Sequence, residues 1–485
     1  MNSRYAALLT SFIALTLATP AHAIGSATPP VWQNAHRVAL PSGATGLPQG
    51  YLPALSCPSA GNCSVGGAYS NAAGNTQGLL LSEVSGVWKS PTTLSPPKSA
   101  ANNPALTIYS LDCGAPGNCS AVGGFQNKSG DTQSFVDNEN ATAWSRAKLV
   151  TLPSNALGSG QSSQVHSVAC ASAGNCSAVG TYLDNSTPIA RSVGYTINKV
   201  SGVWGNAVEL RLPSDANFNP FVIVNQVACA SPGTCAGVGT YINAHNDTRG
   251  FVASEVRGKW LPAIEVALPG DANAYPATSL NELTCAAPGD CTALGTYENT
   301  AGSVEGFTVN ESDYVLHRAV AMEMPPGDAV NSHVFFYGFE GISCPTISDC
   351  SAGGQYLDQS GHYQGFLIDE SHGTWRRATE LRLPAGAQSA GKNGGVVAVS
   401  CSSTGNCSAG AAYSDAGGNY QASIVNEVAG VWLAATPIAL PSGATTVGVA
   451  GGVYALKCHP NAPCTATGSY LSTSSVYQGF IVASH

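Results

Sequence analysis

Basic residues are scarce in this chain. Its 19 Lys and Arg stand against 28 Asp and Glu, a formal charge of −9, so the basic patch that nucleic-acid binding requires is missing. Past the N-terminus no apolar run reaches the about 18 residues of a membrane-crossing helix. No segment carries a convincing helical period, which disfavours helical folds. Enzyme signatures are missing too: there is no G-x-S-x-G elbow, H-E-x-x-H, P-loop, dinucleotide fingerprint or EF-hand loop. Sialidase-type S-x-D-x-G-x-x-W boxes are absent, as is the A-x-D-x-x-T-G-x-x-x-W pattern of quinoprotein propellers. The cysteines lack C-x2-C spacings with His partners, which argues against zinc. No metal or cofactor is expected. What is present is a hydrophobic content of 44 %, enough for a large core and too much for a disordered chain.

The N-terminus points to the compartment. Arg4 precedes a short apolar stretch from Ala6 to Thr19, and Ala21-His22-Ala23 is a small-x-small cleavage site. Residues 1–23 therefore read as a signal peptide, with the mature chain near Ile24. The protein is expected to be secreted, extracellular or periplasmic, where disulfides persist.

All 16 cysteines fall into C-x5-C pairs: Cys57/Cys63, Cys113/Cys119, Cys170/Cys176, Cys229/Cys235, Cys285/Cys291, Cys344/Cys350, Cys401/Cys407 and Cys458/Cys464. Successive first cysteines lie 56, 57, 59, 56, 59, 57 and 57 residues apart. Such a period signals a repeat fold, so residues 24–485 read as one repeat domain rather than the about three that length alone suggests. Each unit holds four short strand candidates separated by Gly, Asn, Asp and Pro. That is the content of a propeller blade. The last unit stops at Gln478-Gly-Phe-Ile-Val-Ala-Ser-His485 without its Trp-bearing fourth strand. The N-terminal segment from Trp32 to Pro41 matches the missing piece. The expectation is an all-β, single eight-bladed β-propeller of four-stranded blades, closed by the N-terminal strand, with one hairpin disulfide per blade. Two smaller propellers or an open array are the rivals. Each staple closes a short loop, worth on the order of 2 kcal/mol before strain.

Recurring residues read as structure. The Trp series (Trp32, Trp88, Trp144, Trp204, Trp260, Trp375, Trp432), with Tyr314 taken as the eighth member, is expected in the core, a sugar-stacking platform being the alternative. Gly180/Tyr182 and Gly365/Phe366 read as inter-blade packing. Departures from the repeat are better candidates for chemistry. From each Trp to the next first cysteine is 25 or 26 residues, but from Tyr314 to Cys344 it is 30. The longer inter-blade loop, 325–340, holds His333, Phe336 and Tyr337, proposed ligand contacts. A second departure adds three residues between Cys176 and Trp204. Neutral loop drift would explain both equally well.

The fourth residue before each first cysteine marks the channel mouth: Pro53, Tyr109, His166, Asn225, Asn281, Glu340, Val397 and Tyr454. Asn225, Asn281 and Tyr454 suit a hydroxyl-rich ligand. Glu282 and Glu340 arise from successive blades and are candidate acid and base or nucleophile on a glycosidic bond. His166 with Tyr109 is a candidate proton-transfer pair for a lyase.

The stretch Cys176-Ser-Ala-Val-Gly-Thr-Tyr182, followed in other units by Gly-Phe-x-x-x-Glu and Gly-x-Trp, resembles paired-cysteine C-x-A-V-G repeats of secreted bacterial propeller-like proteins, and more loosely the HAF extracellular repeats. The likeness spans nearly the whole mature chain. It implies a fold and a location, and hands over no catalytic residues. The leading expectation is a monomeric recognition module for a glycan or cell-surface ligand. A glycoside hydrolase or polysaccharide lyase at the channel mouth is the second, and a protein-interaction scaffold the third.

Overall fold

A computed structural model describes residues 29–48, 52–141, 143–186, 189–329, 333–336, 341–388, 394–445, 451–460 and 462–485. The expected signal segment, 1–23, lies outside the described residues. Every cysteine pair sits on a hairpin that opens a four-stranded antiparallel sheet. The fourth unit shows the pattern. Ile223–Ser231 is innermost, followed by Thr234–Ile242 and Thr248–Val256. The outer strand comes in two short pieces, Lys259–Trp260 and Ile264–Glu265, both paired with the third strand. Innermost strands touch their neighbours all round the ring, and Ala54–Ser59 of the first unit packs against Gly451–His459 of the last. The chain is one eight-bladed β-propeller.

The ring closes as the offset repeat implies. His36 and Arg37 pair antiparallel with Ile481 and Phe480, taking the outer position of blade 8. Trp32 bridges to Ser484. Pairing the first strand with the last blade leaves no open edge at the seam.

In blades 1, 3, 4, 5, 6 and 7 the two hairpins meet on one face, for example through the Gly202 amide donating to the Gly174 carbonyl at 2.9 Å. The other face carries the inter-blade loops. All eight expected bridges form on the hairpin face: Cys57–Cys63, Cys113–Cys119, Cys170–Cys176, Cys229–Cys235, Cys285–Cys291, Cys344–Cys350, Cys401–Cys407 and Cys458–Cys464. Cys170 and Cys176 stand directly opposite in register, 3.9 Å apart at Cα, and the other pairs match them.

The bridges do more than the spacing suggested. Their second members, Cys63, Cys119, Cys176, Cys235, Cys291, Cys350, Cys407 and Cys464, are all buried. These are packing positions between blades. The Ser64 hydroxyl of blade 1 lies 3.4 Å from the Cys119 sulfur of blade 2, and Ser351 lies 3.4 Å from Cys407. Ser408 stands 3.8 Å from Cys464, and Thr292 stands 3.9 Å from Cys350. Thr465 of the last blade meets Cys63 of the first at 3.9 Å, so this contact also crosses the ring closure. Cys291 shares an apolar cluster with Ala236 and Val238 of the blade before. Each staple thus pins its own hairpin and also lines the seam to its neighbour.

The outer hairpin turns through glycine with positive φ, such as Gly258 at +78°. In blade 5 that place is held by Tyr314, at φ +63°. Tyr314 is therefore not the eighth member of the Trp series. Leu316 is, since it faces Glu311 as Trp260 faces Glu255.

Blade cores rest on an aromatic pair between strands two and three. Tyr241 and Phe251 are fully buried with centroids 6.3 Å apart, and Tyr297 and Phe307 repeat this at 6.1 Å. Opposite Phe251 stands Gly239, where a Cβ would lie 2.8 Å from the ring and 2.1 Å from the Ile223 carbonyl. That close approach is why the C-x-A-V-G motif ends in glycine. The tryptophans lie between blades and are not free platforms. Trp260 donates from Nε1 to Asn198 of the preceding blade at 3.1 Å, and Trp32 does the same to Asn426 at 3.2 Å.

A belt of buried carboxylates follows the same seams. Glu139, Glu255, Glu311, Glu370 and Glu427 are all nearly inaccessible. Most accept a bond from the blade before, as Glu139 does from Ser82 at 2.8 Å and Glu370 from Asn310 at 3.2 Å. Burial raises the pKa of each. Glu427 is pushed up to about 8, by burial first and then by the neighbouring Asp369 carboxylate. Blade 3 puts a cation in the belt: Lys199, buried, donates to Ser120 at 3.0 Å. Its neighbour Asp137 stands where other blades have apolar residues, and burial lifts it to about 6.

Candidate functional site: the channel and its mouth

The innermost strands do not run straight. In blades 2, 3, 4, 5, 7 and 8 the ladder slips by one residue at the fourth position before the first cysteine. Tyr109, His166, Asn225, Asn281, Val397 and Tyr454 are the residues left out of register. A β-bulge leaves its extra residue unpaired and re-aims its side chain. In blades 2, 3 and 4 it turns that side chain onto the channel cavity. The carbonyl that leans onto Gly239 belongs to Ile223, at the start of the bulged strand, so the glycine of the repeat and the bulge are one device.

The channel holds a cavity of about 370 Å³ lined by all eight blades. Pro53, Tyr109, His166 and Asn225 reach it from four successive blades. Tyr109 lies over Gly124, where a Cβ would come within 2.9 Å of its hydroxyl. His166 Nε2 is 3.4 Å from the Thr181 hydroxyl. Burial lowers the pKa of His166 and raises that of Tyr109, so at neutral pH the imidazole is neutral and the phenol protonated. Asn225 donates to the Leu280 carbonyl at 2.8 Å and to Asn281 at 3.0 Å, tying blades 4 and 5 together. Asn281 is thus engaged in the seam and does not line the cavity. Tyr454 accepts from Ser469 at 3.3 Å, outside the cavity wall.

The candidate carboxylates part company. Glu282 is wholly buried and accepts the Gly341 amide of the next blade at 2.9 Å. It fills a structural place that other blades give to Ser110 and Ser167, which accept Val168 and Val227 amides at 3.2 Å. The expected position of Glu282 at the mouth is corrected: beyond the bulge the alternation points it into the seam. Glu340 and Tyr337 lie outside the described residues. Phe336 is 7 % exposed and packs edge-on against Phe366 in the blade core, so it offers no face to a ligand. Its neighbour Phe335 is the exposed ring, stacked on His333 and set against Tyr363.

Deeper in the channel, six of the eight blades place a polar residue just before the first cysteine, blades 3 and 4 having Ala169 and Ala228 there. Ser56 donates to Asp112 at 2.6 Å and accepts the Cys113 amide at 3.1 Å. The Asp112 carboxylate also takes the Cys170 amide at 2.7 Å. Ser343 and Ser400 accept the amides of Cys401 and Cys458. Lys457 is the blade 8 member, and with Asp112 it supplies the charge on the cavity wall. Sequence reasoning missed this row, although a polar residue beside six of the first cysteines was a usable signal. Among the described residues no group of three or more metal-ligating side chains is assembled.

No family model and no curated protein matches the sequence. Several solved structures are similar in fold at low identity. An ulvan lyase from a family of polysaccharide lyases aligns at 10 % identity and TM-score 0.43, covering 86 % of this chain and all of that one. A Hadza microbial sialidase aligns at 10 % identity and TM-score 0.37, covering 76 % and 73 %. An α-L-arabinanase of Penicillium chrysogenum, complexed with arabinobiose, aligns at 10 % identity and TM-score 0.35, covering 70 % and 99 %.

Proposed function

We propose that this protein is a secreted, monomeric propeller that binds a glycan at its channel mouth. One observation carries the reading: the bulges turn Tyr109, His166 and Asn225, from three successive blades, onto a single cavity. A phenol, an imidazole and an amide give donors and acceptors in a concave site, which is what a hydroxyl-rich ligand requires. The stapled blades hold them in place, so little ordering entropy opposes binding. A glycan array with the disulfide-intact protein tests this. Binding that Tyr109→Ala reduces about tenfold or more supports it, a loss of roughly 1.4 kcal/mol. An array with no positive spot defeats it.

A second reading is favoured by the ionisation states of Tyr109 and His166. A neutral imidazole beside a protonated phenol is the state needed for β-elimination on a uronate polymer. His166 would take the proton next to the carboxylate, the glycosidic C–O bond would break, and the Tyr109 hydroxyl would protonate the departing oxygen. Lys457 would supply the positive charge. Incubation with polyuronates, followed by ultraviolet absorbance of the unsaturated product, decides it. Absorbance that Tyr109→Phe abolishes makes the protein a lyase. A reducing-sugar release assay covers the hydrolase form.

A further inference from the structure

We propose that blade 4 carries an aromatic track that continues the channel mouth outward and holds the sugar rings of an extended, uncharged glycan chain. The proposal rests on the glycan reading above and adds the length and charge class of the ligand.

Phe221 is the starting point. Its φ is +41°, in the left-handed region, and its ring is 57 % exposed. A bulky residue with such a backbone is an outlier, and this one gains no burial in return. The equivalent positions in blades 2 and 5 have the same backbone, φ +45° and +44°, but carry only Ala105 and Ala277. The ring is therefore not required by the turn.

The strand that follows alternates cleanly. Val222 and Val224 are buried, while Phe221 and Ile223 face outward. The next residue of that row, Asn225, lines the channel cavity. Phe221, Ile223 and Asn225 thus form one continuous strip from rim to channel. Blade 3 has Ser162, Gln164 and His166 in this row, and blade 5 has Ala277, Ser279 and Asn281, so neither neighbour continues the apolar strip of blade 4. Phe218 stands beside it, 56 % exposed, with the Arg191 guanidinium 5.4 Å from its ring centre. Tyr275 projects from the corresponding loop of the next blade.

Charge narrows the occupant. Arg191 is paired with Asp184, and Arg249 with Asp247 at 3.1 Å. Both arginines of this rim are neutralised, so neither offers an anionic polymer a cation to grip there. Flat aromatic faces beside amides such as Asn225 match a pyranose ring, whose C–H face is apolar and whose edge is hydroxylated. The cavity, at about 370 Å³, is near the low end of the roughly 300–1,000 Å³ typical of small-ligand pockets. A chain longer than a short oligosaccharide has to run out over the rim, and the strip is where the apolar surface continues.

Affinity electrophoresis in gels containing laminarin, xylan, arabinan or polygalacturonate tests this, with Phe221→Gly, Ile223→Ser and Tyr109→Ala beside the unaltered protein. Glycine suits the φ of residue 221, so Phe221→Gly is expected to melt at or above the temperature of the unaltered protein. The proposal expects retardation by a neutral polysaccharide, weakened at least fivefold by Phe221→Gly and by Ile223→Ser, with short oligosaccharides of that glycan displaced equally from all but Tyr109→Ala. Retardation unchanged in Phe221→Gly but lost in Tyr109→Ala overturns the track and leaves the channel reading standing. Loss in Phe221→Gly with none in Tyr109→Ala overturns the channel reading and keeps the track. Preference for polygalacturonate overturns the uncharged class. Retardation by none of the four polymers overturns the track, and apolar peptides captured through Phe221 instead would assign it to a protein partner. A fall of several degrees in the melting temperature of Phe221→Gly would make the ring structural.

Discussion

The two faces of this ring are built by opposite rules. On the hairpin face, blades are nearly interchangeable: a cysteine pair, a glutamate in the belt and a tryptophan or its substitute recur at the same spacing. On the loop face the backbone is just as regular, since the bulge recurs in six blades, but the side chain it releases varies among Tyr, His, Asn and Val. A repeated backbone distortion with a changing side chain is a display device, whereas a repeated side chain is a fastener. The lesson is that constant and variable side chains were placed at opposite ends of the same strands.

The comparison can be broken from the hairpin face first. Reducing all eight disulfides removes short-loop constraints worth on the order of 2 kcal/mol each at most. Calorimetry is expected to show a melting temperature lowered by more than about 10 °C. Little change would mean the seams, not the staples, hold the face together. Next in size is Gly239→Val, which drives side-chain atoms into the Ile223 carbonyl and the Phe251 ring. It is expected to cost about 3 kcal/mol or more, read by chemical denaturation, because the bulge and the aromatic pair cannot both survive. Lys199→Met removes the buried one of the two lysines that act on Asp137, the other being Lys148, and is expected to cost about 2 kcal/mol, with Asp137→Val in the same chain restoring most of it. A double-mutant cycle showing simple additivity would dissolve the coupling.

The belt also makes a pH prediction. Glu427 holds its proton in the folded protein up to about 8, against an ordinary value of 4.5. A group whose folded pKa is raised contributes stability below its unfolded pKa and loses it as pH rises. The melting temperature is therefore expected to fall by a few degrees between about pH 5 and 8, and Glu427→Gln should flatten that slope. The smallest effect belongs to the loop face. Tyr109→Ala is expected to alter stability by less than about 1 kcal/mol while weakening the proposed glycan binding about tenfold or more, which would sharpen the division between the two faces.

Much of this was legible beforehand. Cysteine spacing announced the blades, and the truncated last unit announced the closure. The channel-mouth row also fell on the bulge residues, because a fixed count from each cysteine tracks a distortion that recurs at a fixed place. What stayed hidden were facts of parity. Alternation cannot be counted through a bulge, so Glu282, one residue beyond, was set at the mouth when it faces the seam. In the long loop, Phe335 and Phe336 differ by one position and by which side of the chain they take. Tyr314 was matched to tryptophan by its aromatic ring, when its place in the turn is the glycine's. The pairing within each C-x5-C unit could be read from spacing, but the burial of its second sulfur against the next blade could not, because sequence distance carries no word of a neighbour some 57 residues away. The glutamate belt was visible in principle, since Glu83, Glu139, Glu255 and Glu427 each precede a tryptophan by five residues. Its meaning was not, because charge at a strand end reads as surface until packing shows it enclosed.

The pairing of His36 and Arg37 with the final blade has a consequence for closure. Almost the entire polypeptide lies between those partners. Seven blades draw all their strands from one continuous stretch of chain, each with its own sulfur bridge, whereas the eighth is completed only by the opening strand. That strand pairs only where Phe480 and Ile481 are in place, so closure needs both ends of the ring at once. Loss of the final blade would leave the others their local order and remove the clasp, and with it the enclosed channel.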